Sequence, residues 1–161
     1  MASSTMVLPA LLTCYHVLFI LAAIIDARHR IFPNGLALAM ASLALGAVAI
    51  EALHGAGDAG LVPWATRFAY AVLPAIAICA GLAAFELAWR RIQSAPGLGM
   101  GDIKLLFSLA LLDPLMAVAS LFLGLTALAA ACLISKKPSL PLIPFLASAW
   151  ALLTLIDLAY R

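Results

Sequence analysis

Long apolar runs broken by short polar stretches decide what this chain can become. Residues 6–25, 35–53, 64–89, 115–134 and 140–158 are five such runs. Each matches the ~20 residues that a helix needs to cross a bilayer. A sixth, residues 103–112, closes at Asp113-Pro114; at ~1.5 Å per residue it rises only half the hydrocarbon thickness. Hydrophobic residues make up 66% of the sequence and charged ones 10%, against ~45–50% and ~25% in soluble domains. No polar coat remains to face water, so lipid must be the solvent. The expected fold is all-α: a polytopic membrane helix bundle of about six transmembrane helices, forming a single integral-membrane domain over residues 1–161.

Charge sets the expected orientation. If all six segments cross, Arg28, Arg30, Arg90, Arg91, Lys104, Lys136 and Lys137 share one side, and Arg67 and Arg161 the other. The positive-inside rule puts the larger group in the cytoplasm and the N-terminus outside. The opening "MASSTMVLPALL" lacks a basic n-region, so it is expected to be a permanent first span and not a cleaved signal. A net charge of +2 implies no nucleic-acid partner. Cys14, Cys79 and Cys132 are scattered without a C-x-x-C pair, which argues against a zinc or redox motif; three small buried hydrophobes are expected. No metal or cofactor is called for.

Seven acids remain to be assigned. Asp58, Asp113, Glu51 and Asp157 fall in outer loops or near outer span ends, where water or the interface can solvate them. Glu86 has Arg90 four residues on, a spacing that brings side chains together on a helix. His16, mid-span, is expected to be buried and hydrogen-bonded. Asp26 closes the first span in "LAAIIDARHRIFPN", and Asp102 opens the fourth in "GLGMGDIKLL". The topology brings these two to one membrane face at similar depth. An acid inside a membrane is a functional-site candidate by default, and two close carboxylates share a proton. One then serves as base on a water and the other as acid, which suits peptide hydrolysis without a metal or covalent intermediate. Gly97, Gly99 and Gly101 remove side chains just before Asp102, leaving room for a peptide strand; a turn before a helix whose first-turn acid meets the dipole explains the same residues.

Three stretches resemble the prepilin peptidase family of polytopic aspartic proteases. Its first motif is an Asp, a basic stretch and Ile-Pro-Asn; here it reads Asp26-Ala27-Arg28-His29-Arg30-Ile31-Phe32-Pro33-Asn34. Its second, Gly-x-Gly-Asp with a hydrophobe, Lys and Leu, reads Gly99-Met100-Gly101-Asp102-Ile103-Lys104-Leu105. The Pro-rich "KKPSLPLIPFLA" is similar to a third. Phe32 replaces the usual Ile, and Ile31 a common basic residue. The resemblance implies an aspartic endopeptidase with Asp26 and Asp102 as catalytic residues. It would cut the short basic leader from type IV, Flp-like prepilins or pseudopilins at the cytoplasmic face of the bacterial inner membrane. Only eight residues separate Asp26 from Gly35, so the chain is similar to compact, peptidase-only members that lack the extra cytoplasmic domain linked to N-methylation. Gly99, Gly101, Lys104, Arg30, Pro33 and Asn34 then become supporting or substrate-binding residues. Lys104 would snorkel to lipid headgroups or bind an acidic residue of the substrate, Arg28 and Arg30 would touch lipid phosphates, and Asn34 would cap the second helix after the rigid turn at Pro33. The competing class is a non-catalytic membrane protein, a small transporter or pilus-assembly scaffold that uses Asp102 and Lys104 as a buried ion pair. A transporter is expected to show an internal repeat, and none is evident between residues 1–80 and 81–161.

Overall fold

The structure, a computed structural model, describes residues 2–56, 61–93, 98–136 and 139–160. Asp58, Gly97, Lys137 and Arg161 lie outside them. The described residues form six helices and no strand: α1 (Ala2–His29), α2 (Asn34–Ala56), α3 (Leu61–Gln93), α4 (Met100–Leu112), α5 (Pro114–Ser135) and α6 (Ile143–Tyr160). All but α4 are long and apolar enough to cross a membrane.

Local chemistry marks the breaks. Asp113 caps α5, its side chain accepting from the Met116 N–H at 2.9 Å, and Pro114 follows at the first helical position, where a missing N–H is harmless. At its far end α5 stops on Lys136 in the left-handed region, φ 52°. The last turn of α1 ends the same way, with Arg30 at φ 53° and its N–H on the Asp26 carbonyl at 2.9 Å. The chain then turns through Pro33 into α2.

α4 is the hub. It packs against α2, α3 and α5, while α1 lies on α2 and α6, and α5 on α6. Seven of its thirteen residues are buried: Ile103, Leu105, Leu106, Ser108, Leu109, Ala110 and Leu111. Past Lys104 the helix is apolar except for Ser108, and the surrounding helices shield a segment too short to span alone. Tyr15 of α1 reaches it through a buried 2.9 Å bond between its hydroxyl and Ser108 Oγ. Gly124 lets α5 approach α6 closely, since a Cβ there would stand 3.2 Å from the Leu146 backbone; small residues at helix contacts are how membrane helices gain packing.

The outer surface is the reverse of a soluble protein's. Ile20, Tyr70, Phe122, Leu133, Ile134 and Leu155 are exposed, a belt suited to acyl chains. α3 shows this most: among its residues whose side chains are described, only Ala75 and Glu86 are buried. The expectation of three buried cysteines is corrected. Cys14 is exposed, and Cys79 and Cys132 are half-buried. In lipid an apolar side chain gains as much facing outward as inward, so a cysteine's place in an apolar run does not fix its burial.

Candidate active site

Asp26 sits in the last turn of α1 and is buried, 8% exposed. Its Oδ2 accepts the backbone N–H of Ile143 at 3.2 Å, from 117 residues further along the chain. Ile143 is the first residue of α6, so the carboxylate faces the positive end of a helix whose first N–H groups lack partners.

Asp102 is the third residue of α4 and half-buried. The helix is capped by Gly99, which has no side chain to offer. Asp102 folds back over that glycine: a Cβ on Gly99 would stand 2.8 Å from Asp102 Oδ2. The Gly99 N–H bonds to the carboxylate, and the Gly99 carbonyl accepts from Asp102 N at 3.0 Å and Ile103 N at 3.3 Å. This is the returning half of a capping box, with the acid at the third position. Burial above all, and then the nearby Asp26 charge, push the Asp102 carboxyl up to about 6, against the opposing pull of the Gly99 N–H. A carboxyl so raised keeps its proton where an ordinary aspartate has lost it.

Both acids line one pocket of about 370 Å³ between α1, α4, α5 and the α5–α6 connection. Leu125, Leu128 and Cys132 form its α5 wall, and the stretch from Ser139 to Leu142 its rim. Arg30, also on the rim, donates to Ser139 Oγ and to the Ser139 carbonyl, each at 3.3 Å. The three motifs of the sequence therefore meet at one place.

Other expectations change. The room left by the glycines is already taken: Gly99 lies under the Asp102 carboxylate, and a Cβ on Gly101 would stand 3.0 Å from Phe32 Cβ. Those two glycines seat the acid and the α1–α2 turn, where a substrate strand was expected. Arg30 holds the Pro-rich connection, although lipid phosphate was its expected partner. Lys104 Nζ donates to Asn34 Oδ1 at 2.7 Å, tying the start of α4 to the start of α2 just past Pro33. The buried Asp102–Lys104 ion pair of the scaffold alternative is thereby not formed, because residues two apart on a helix face different ways. Glu86 does pair with Arg90, at 2.6 Å. His16 is half-buried, its Nδ1 2.6 Å from the Leu12 carbonyl oxygen.

Sequence reasoning missed two groupings. The Ile143 N–H on Asp26 carries no side-chain signal at all. At the other end of the bundle His16, Glu51, Asp113 and Asp157, from α1, α2, the α4–α5 junction and α6, line a second pocket of about 190 Å³; the sequence put the three acids on one outer side but not His16 beside them. Among the described residues no three His, Cys, Asp or Glu side chains gather in a way that would hold a metal ion.

Comparison with known proteins finds one family. A model of the type IV leader peptidase family matches residues 12–156. No curated protein and no solved structure matches the chain.

Proposed function

The chain belongs to the type IV leader peptidase family, and on that premise we propose that it is an aspartic endopeptidase that removes the short basic leader from Flp-like prepilins or pseudopilins, using Asp26 and Asp102 on a water. The observation that carries the reading is two acids from different helices lining one pocket. Asp26, Arg30, Asp102 and Ser139 share its lining with leucines and Pro141, and the substrate's own apolar helix stays in lipid beside it.

The surroundings divide the labour. Asp26, with the Ile143 N–H on its Oδ2 and Arg30 on the same pocket, is the acid that these donors orient toward a water. It takes a proton from the water as the oxygen attacks the carbonyl carbon of the last leader residue. Asp102, whose carboxyl is raised to about 6, gives its proton to the carbonyl oxygen. Collapse of the tetrahedral intermediate breaks the C–N bond, and the proton now on Asp26 goes to the leaving amine. The intermediate's hydroxyl returns a proton to Asp102, so both acids regain their starting states. The leader departs with a new carboxylic acid and the pilin with a new N-terminal amine; in water the acid's proton then passes to the amine or to solvent.

Location follows from charge. Arg28, Arg30, Arg90, Arg91, Lys104 and Lys136 belong to helix ends and connections on the side of this pocket. The positive-inside rule supports a reading in which that side faces the cytoplasm and the N-terminus lies outside; the bacterial inner membrane is proposed with it, from the prepilin substrate.

The test is cleavage of a prepilin-type precursor by the purified protein in proteoliposomes. One cut is expected between basic leader and apolar helix. Because the reaction needs the Asp102 proton, the rate should fall as pH rises through about 6, a value belonging to the coupled pair. A precursor left intact across the pH range contradicts the proposal.

A further inference from the structure

Among the described side chains of α3 nearly all turn outward, yet one of the two that are buried is a glutamate. Glu86 is 0% exposed. Its Oε1 accepts from Arg90 Nε at 2.6 Å, and its Oε2 accepts from the backbone N–H of Leu98, also at 2.6 Å. The arginine accounts for the charge: burying a carboxylate without a cation is costly. It does not account for the second bond. An i, i+4 pair forms readily on the exposed face of a helix, so the buried location and the bond to Leu98 require another reason.

That reason lies downstream. Leu98 precedes Gly99, whose carbonyl starts α4 and over which the Asp102 carboxylate rests. Leu98 itself lines the pocket of the two acids. With Gly97, Gly99 and Gly101 in the sequence, this stretch has more backbone freedom to lose than any ordinary loop. A charged acceptor on a buried N–H is a strong way to remove that freedom.

We infer that Glu86 is a positioning residue for the peptidase reaction, a tether from α3 that fixes the Leu98–Gly99 backbone and through it the Asp102 carboxylate. This rests on the peptidase reading above. Arg90 keeps the tether's charge balanced and does not touch the site.

Two near-isosteric substitutions separate tether from charge. Glu86→Gln keeps the length and an acceptor oxygen for the Leu98 N–H but loses the charge; kcat should stay within about threefold of the parent protein. Glu86→Asp keeps the charge but is one methylene too short to reach; kcat should fall by about 100-fold with KM little changed, the scale of loss expected for a small misplacement of a catalytic group. Leu98→Pro removes the donor and leaves Glu86 and Arg90 intact; it should show the same kcat loss and decides the matter if Glu86→Asp does not fold. Parent-like kcat in Glu86→Asp or Leu98→Pro overturns the tether, as does a Glu86→Gln variant as impaired as Glu86→Asp. Asp102→Asn, assayed alongside, separates the two levels: if it still cleaves, the peptidase reading fails; if it is inactive while Glu86→Asp is not, only the tether fails.

Discussion

One methyl group at the start of α4 is enough to move the Asp102 carboxylate. A Cβ on Gly99 would meet Asp102 Oδ2 at 2.8 Å, and the atom it meets is the end of a flexible side chain. The backbone at Gly99 is extended, φ −68° and ψ 138°, a conformation alanine adopts freely. Gly99→Ala should therefore fold normally and lose activity, by about tenfold or more if the carboxylate shifts by a fraction of the ~1 Å that costs ~100-fold. Gly101→Ala should behave in the opposite way. Its Cβ would stand 3.0 Å from Phe32 Cβ, close to the main chain of the α1–α2 turn, and such overpacking costs about 1–3 kcal/mol. Thermal unfolding in detergent, set beside the cleavage rate, distinguishes the two glycines: unchanged melting for Gly99→Ala, lowered melting for Gly101→Ala.

At the level of helices, the α5–α6 contact couples stability to the site. A Cβ on Gly124 would stand 3.2 Å from the Leu146 backbone, and α6 begins with Ile143, the N–H partner of Asp26. Gly124→Leu forces the two helices apart. It should lower the melting temperature, by an amount equivalent to about 1–3 kcal/mol, and impair cleavage at temperatures where the protein is still folded. Loss of one without the other would separate this contact from Asp26. The helices themselves were largely legible in the sequence, because the bilayer fixes how long an apolar run must be. The 64–89 run grew into the 33-residue α3, since hydropathy does not register polar turns that continue a helix past the membrane. The 103–112 run became α4, Met100–Leu112, still short. Which faces these helices bury was not legible. Apolar side chains serve core and lipid alike, and the cysteines show the consequence.

Over the whole molecule, the fold gathers what the sequence keeps apart. Asp26 is held by the start of α6, Arg30 by Ser139, Lys104 by Asn34, and Leu98 by Glu86. Three of these ties reach residues of the pocket that holds the two acids, and the fourth, Lys104 to Asn34, joins α4 to α2 at a different pocket. The two acids could be picked out beforehand, because a carboxylate in an apolar chain must have a reason to be there. Their settings could not, since most of the ties use backbone groups or small polar residues that leave no pattern in the sequence. The claim on which the rest depends is that Asp26 and Asp102 act as a unit. It is tested most directly by the rate of prepilin cleavage with Asp26→Asn, Asp102→Asn and the double variant in the same proteoliposomes. Groups that work together are strongly non-additive, so each single variant should lose about a thousandfold or more and the double variant no more than either. A single variant that cleaves at the parent rate would contradict the account.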